Sequence, residues 1–162
     1  MSYVEGLVEE PSAEEALRHL LPKLVRGRAR CKVINLGSKS RLLKVLESRL
    51  RAYGARIDKG EDLQIVVLVD RDDDDCKRLK ATLEQAAARA GLPTKSQPGG
   101  AGNIRVLNRI VVEELESWFI GDPDALRRAF TSLPAINPKQ RLFRNPDNGG
   151  TWEALHRFLK RH

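Results

Sequence analysis

The sequence predicts an α/β fold, an open, mainly parallel sheet of about four strands flanked by helices. Three observations carry this. Strand-like and helix-like segments alternate along the chain. The run Ile65-Val66-Val67-Leu68-Val69 has no polar alternation, as expected of a central parallel strand covered on both faces. The segments between strands each carry a single apolar stripe at helical spacing, which is what right-handed crossover connections require.

The elements follow in order. Ser2 to Val8 reads as a first strand, closed by Glu9-Glu10 and Pro11. Ser12-Ala13-Glu14-Glu15 matches a capping box, with Ser12 as N-cap and Glu15 at the third helical position. Ala16, Leu17, Leu20, Leu21 and Leu24 then form one helical stripe. Lys32 to Leu36 is a short second strand, broken by Gly37-Ser38, and Leu42, Leu43, Leu46 and Leu50 mark a second helix. The buried strand Gln64 to Asp70 comes next, followed by the acidic run Asp70 to Asp75. Leu79, Leu83, Ala86, Ala87 and Ala90 define a third helix, ended by Gly91 and Pro93. Ile104 to Val112 is the fourth strand, and Asp122-Pro123 starts a short helix. Ser132 to Gly150, rich in Pro, Asn and Gly, reads as loop, and Trp152 to Arg161 as a last helix.

The 162 residues and 41% hydrophobic content suit one compact domain with a real core. Within it, residues 1–130 are expected to form the α/β body and 131–162 a basic loop and helix packed on or extending it. No apolar run is long enough to cross a membrane, and the start Met-Ser-Tyr-Val-Glu-Gly lacks a signal-peptide layout. Cys31 and Cys76 are far apart and are expected to be small buried or half-buried residues, so a reducing, cytoplasmic location is expected.

The net charge of +7 favours a polyanionic partner, and its distribution is more informative. Between Arg127 and Arg161 stand eight Lys and Arg (Arg127, Arg128, Lys139, Arg141, Arg144, Arg157, Lys160, Arg161) against Asp147 and Glu153. A basic surface around a concentrated acidic spot points to an anionic ligand held near metal ions. Arg71, Arg127, Arg128, Arg141 and Arg144 are the candidate nucleic-acid contacts. Trp118, Phe119 and Trp152 are expected in the core or an interface rather than stacked on bases.

Ligands of open parallel sheets sit beyond the carboxyl ends of the strands. Three acidic elements fall at that edge: Glu9 after the first strand, Asp70 and Asp72 after the third, and Glu114 and Glu116 after the fourth. Clustered carboxylates repel unless protonated or neutralised by a cation, and Mg²⁺ or Mn²⁺ takes such oxygens readily. Glu14, in the first helical turn near Glu9, is a candidate second-metal ligand. Asp73, Asp74 and Asp75 are better explained as favouring a helix N-terminus.

Other readings of the aspartate run fail on spacing or context. A Ca²⁺ helix-loop-helix site would need Gly at Asp75 and Glu at Ala81, and a preceding helix where a buried strand stands. Aspartyl-phosphate phosphatases and receiver domains place their acidic motif after the first strand. His19, His156 and His162 form no zinc-like cluster, and no phosphate-cradling Gly-x-x-x-x-Gly-Lys loop is present.

Three blocks resemble one bacterial family: Leu7-Val8-Glu9-Glu10-Pro11-Ser12-Ala13-Glu14, Val67-Leu68-Val69-Asp70-Arg71-Asp72-Asp73-Asp74-Asp75-Cys76, and Glu114-Leu115-Glu116-Ser117-Trp118-Phe119-Ile120-Gly121-Asp122. It is a Toprim-like (topoisomerase-primase) domain of unknown function, similar to the nuclease domains of the OLD (overcoming lysogenization defect) group. The resemblance spans Val4 to about Leu159. It implies a Mg²⁺-dependent or Mn²⁺-dependent site cleaving phosphodiesters in DNA or RNA, with Glu9 as metal ligand or general base and Asp70 and Asp72 as metal ligands. Glu14 and Glu116 would complete a second metal position. A partner ATPase and a role in defence against phage are also implied, with a non-catalytic module binding nucleic acid or that ATPase as the alternative. Relatives continue past the position of His162, so the chain is expected to be a shorter member.

Overall fold

The computed structural model describes residues 1–97, 103–112, 114–145 and 150–161. Four strands form one sheet: β1 (Ser2–Val8), β2 (Ala29–Asn35), β3 (Leu63–Asp70) and β4 (Val106–Val111). Their order across the sheet is β2-β1-β3-β4. β1 runs parallel to β2, with Val8 opposite Asn35, and parallel to β3, with Leu7 opposite Val67. Between β3 and β4 the Ile65 amide donates to the Arg105 carbonyl and the Arg71 amide to the Val111 carbonyl. Both numbers rise in step, so this pair is parallel too. The fold is therefore the expected α/β one, an open four-stranded parallel sheet of Rossmann/Toprim-like kind flanked by helices.

The chain divides into two compact units, Met1–Val69 with Asp75–Ile110, and Asp70–Asp74 with Val111–His162. In the first, α1 (Pro11–Val25) covers one face of the sheet, and α2 (Lys39–Asp58) and α3 (Cys76–Arg89) cover the other. Alternation along β3 explains the second contact: Leu63, Ile65, Val67 and Val69 enter the same apolar cluster as Leu42, Leu46 and Leu50 of α2 and Leu79 and Leu83 of α3. On the opposite face Gly6 lets α1 approach closely. A β-carbon there would stand 3.3 Å from a Leu17 methyl and 3.4 Å from a Leu21 methyl. Two polar contacts tie helices to strands at long range. The buried Glu5 of β1 accepts from Arg56 of α2 at 2.6 Å. Glu84 of α3 accepts from Lys80 (2.7 Å), Asn108 (3.0 Å) and the Thr94 hydroxyl.

The second unit contains four short helices, α4 (Glu116–Ile120), α5 (Pro123–Ala129), α6 (Arg141–Arg144) and α7 (Thr151–Lys160). Its core is Ile120, Leu126, Leu133, Phe143 and Leu155, with an edge-to-face contact of 5.2 Å between Phe143 and Phe158.

Several expectations are corrected. Helix α1 starts at Pro11, with Glu10 as N-cap and no side-chain cap, so Ser12 and Glu15 do not form a capping box. Proline lacks the amide that an N-cap would have to satisfy and its φ suits the first helical position, which moves the helix start forward. The Ser12 hydroxyl donates to Glu10, and Glu15 lies 3.0 Å from His19 one turn on. The stretch read as loop from Ser132 contains the single turn α6; its residues 146–149 and His162 lie outside the described residues. Cys76 is exposed, because it opens the first turn of α3 ahead of the buried Leu79. Trp118, Phe119 and Trp152 are exposed, so of the two places expected for them, core or interface, the core is excluded. Among the described residues no helix is long and apolar enough to cross a membrane.

Candidate functional site

The sheet order fixes where a ligand would sit. From β1 the chain crosses to β2 on one side, then returns past β1 to β3 and on to β4. The direction of winding reverses between β1 and β3, and in open parallel sheets the crevice beyond that switch point is the binding position.

Glu9 is the residue directly after β1 and is only 7% exposed. Asp70 is the last residue of β3 and is likewise 7% exposed. Buried carboxylates are uncommon. Among the described residues Glu5 shares this burial but lies in the middle of β1, paired with Arg56; Glu9 and Asp70 are the two at the carboxyl ends of their strands. Glu14 is half-buried on the first turn of α1 and pairs with Arg18 at 3.4 Å, an i,i+4 pair on the helix surface.

Beyond Asp70 the backbone turns sharply. The Asp74 amide donates to the Arg71 carbonyl at 3.0 Å, and Arg71 Nε donates to the Asp72 carbonyl at 3.3 Å. Asp72 is exposed and has φ +47°, in the left-handed region where aspartate is among the better tolerated residues. Asp75 is the N-cap of α3, its carboxylate accepting from the Arg78 amide at 2.7 Å. The aspartate run thus divides by position into a strand end, a left-handed turn and a helix cap.

After β4, Glu116 is half-buried as the first residue of α4. Glu114, two residues earlier, accepts from the Thr151 hydroxyl at 2.7 Å and the Trp152 amide at 2.9 Å, so it caps α7. Arg127 and Arg128 on α5 and Arg141 and Arg144 on α6 are exposed, whereas Arg71 is half-buried. Spacing pointed to none of the grouping of Arg141 with Arg157 and Arg161, which line one groove; the i,i+4 interval of the last two was the available signal.

Among the described residues no group of three or more His, Cys, Asp and Glu side chains is arranged to hold a metal ion. Mg²⁺ commonly binds through one or two carboxylates and completes its octahedron with water and phosphate oxygens.

Neither the curated proteins nor the solved structures offer a match to this chain. The model of one family does match, over residues 8–162, and by that match the chain belongs to the family described as domain of unknown function DUF4276.

Proposed function

We propose that this chain is a divalent-metal-dependent, phosphodiester-cleaving domain of Toprim type that acts on nucleic acid, with Glu9 and Asp70 at its centre. One observation carries the reading: the strands that flank the switch point each end in a buried carboxylate. In this proposal Asp70 holds Mg²⁺ or Mn²⁺, and Glu9 serves either as a further ligand or as the general base that takes the proton of an attacking water. The bound ion would supply charge neutralisation and polarisation at the phosphorus. Asp72, in the turn two residues on, is not grouped with them in the structure and is proposed as a ligand recruited once the ion binds, and Glu14 and Glu116 stand outside this first position. The relation to OLD-group nucleases, a role in phage defence and a partner ATPase belong to the same proposal and rest on the sequence resemblance.

The alternative is a non-catalytic module of this fold that binds nucleic acid or an ATPase; the chain's net charge of +7 favours a polyanionic partner whether or not it is cleaved.

Incubation of the full chain with plasmid, single-stranded DNA and RNA, with and without Mn²⁺, separates the two. The catalytic reading expects Mn²⁺-dependent cleavage that Glu9→Gln and Asp70→Asn each reduce by two orders of magnitude or more. Calorimetric Mn²⁺ binding should fall in the same variants. Cleavage that persists unchanged in both variants, or no cleavage of any substrate, overturns it.

A further inference from the structure

The second unit holds a groove of about 830 Å³ between α6 and α7. Arg141 lines it from α6, Arg157 from α7 and Arg161 from the C-cap of α7, with Gln140, Asn145 and Thr151 adding polar groups. Glu153 is the one acid among the described lining residues. None of the three guanidinium groups forms an ion pair or hydrogen bond with a described residue, in contrast to Arg51, Arg56, Arg89 and Arg105 of the first unit.

Three like charges lining one concavity, unpaired among the described residues, repel each other, and the concave wall concentrates their field. Such an arrangement is relieved by an anion with several oxygens, and the planar fork of arginine matches phosphate in particular. Arg157 and Arg161 are one helical turn apart, about 6 Å along the axis at 1.5 Å per residue, a spacing suited to neighbouring phosphates of one strand. The half-buried Phe158 gives the groove an apolar floor and packs α7 against Phe143 of α6, which holds the arginines on fixed elements. At 100° per residue Trp152 and His156, stacked at 5.1 Å, fall on the opposite side of α7 and contribute nothing to this groove.

We infer that the groove between α6 and α7 is a phosphate track for a single nucleic-acid strand, gripped by Arg141, Arg157 and Arg161. Taking the anion to be nucleic acid rests on the function proposed above; the concentration of arginines in the groove does not.

The test is fluorescence anisotropy of a labelled single-stranded oligonucleotide with the full chain in EDTA, where no metal-dependent step contributes. The triple variant Arg141→Gln, Arg157→Gln, Arg161→Gln should bind at least tenfold more weakly. Its log–log salt slope should be shallower by about 2, as expected for three lost phosphate contacts on a single strand. A triple variant of equal charge loss in the first unit (Lys23→Gln, Arg30→Gln, Lys59→Gln) should bind nearly as the wild type. All six positions are exposed, and matching thermal melts confirm that the variants fold. The inference is overturned if the wild type binds no strand, or if the groove variant binds like the wild type. Equal weakening by both triple variants, or displacement by a mononucleotide at equal phosphate concentration, overturns it as well. Strand binding that persists without any Mn²⁺-dependent cleavage would remove the catalytic reading and leave the groove assignment standing.

Discussion

The carboxylate of Glu114 and the hydroxyl of Thr151, 37 positions apart in sequence, are joined by a 2.7 Å hydrogen bond at the start of α7. The same oxygen of Glu114 accepts from the Trp152 amide, so one side chain satisfies a first-turn donor that Gly150 at the N-cap cannot. The negative charge also lies at the positive end of the helix dipole. Glu114→Ala should therefore destabilise the protein by about 1–2 kcal/mol, the usual range for a lost helix cap, and Glu114→Gln by less, since it keeps an acceptor. Denaturant unfolding measures both. An alanine variant as stable as the wild type would show that the cap contributes nothing.

Glu84 makes a pH-dependent contribution whose sign follows from its neighbours. Burial pushes its carboxyl up, but hydrogen bonds from Lys80, Thr94 and Asn108 outweigh that and hold it below the ordinary value of 4.5. Thr94 and Asn108 are themselves fully buried, while Glu84 and Lys80 are half-buried, so the contact joins α3 to the start and middle of the β4 region at the edge of the core. A carboxyl whose folded pKa is depressed stabilises the fold above its unfolded pKa. That stability disappears as pH falls through the folded value, here below about pH 4.5. The wild-type melting temperature should decline over that acid range. Glu84→Gln should melt lower at pH 7, by about 1–2 kcal/mol equivalent for a lost charged hydrogen-bond acceptor, and show a flatter acid limb. An acid limb as steep as the wild type's would assign the effect to other carboxylates.

The contrast between these contacts and the strands shows what the sequence made legible. β3 was readable because burial on both faces removes polar residues from Ile65 to Val69, a local signature. Asp75 was readable as a helix-favouring residue because a cap acts within three positions. Pro11 and Ser12 competed for the same helix start, and the capping-box pattern gave the wrong answer because proline's fixed φ decides where the first turn begins. Beyond the local Lys80 pair, Glu84 and Glu114 find partners 10 to 38 residues away, and no local pattern encodes such pairs. For the candidate site, the placement of Glu9 just after β1 and of Asp70 at the end of β3 followed from the strand boundaries. The strand order that puts a switch point between those strands did not, because several orders satisfy the same alternation of elements.

Asp72 allows conformation and ligation to be separated in one residue. Its φ of +47° lies where non-glycine residues are strained by roughly 1 kcal/mol or more. Asp72→Gly removes that strain but adds freedom to the unfolded chain, an opposing effect of about 0.4–1 kcal/mol. The two nearly cancel, so this variant should melt within a few degrees of the wild type. Asp72→Ala keeps the strain and loses the short polar side chain that makes aspartate tolerable there, so it should be less stable by about 1 kcal/mol. If Asp72 occupies the turn only for its backbone, glycine replaces it fully and Mn²⁺-dependent cleavage is retained. If its carboxylate is a ligand, the glycine variant folds normally but loses cleavage and binds Mn²⁺ more weakly by calorimetry. A glycine variant that is both stable and fully active would remove Asp72 from the site and leave Glu9 and Asp70 as its carboxylates.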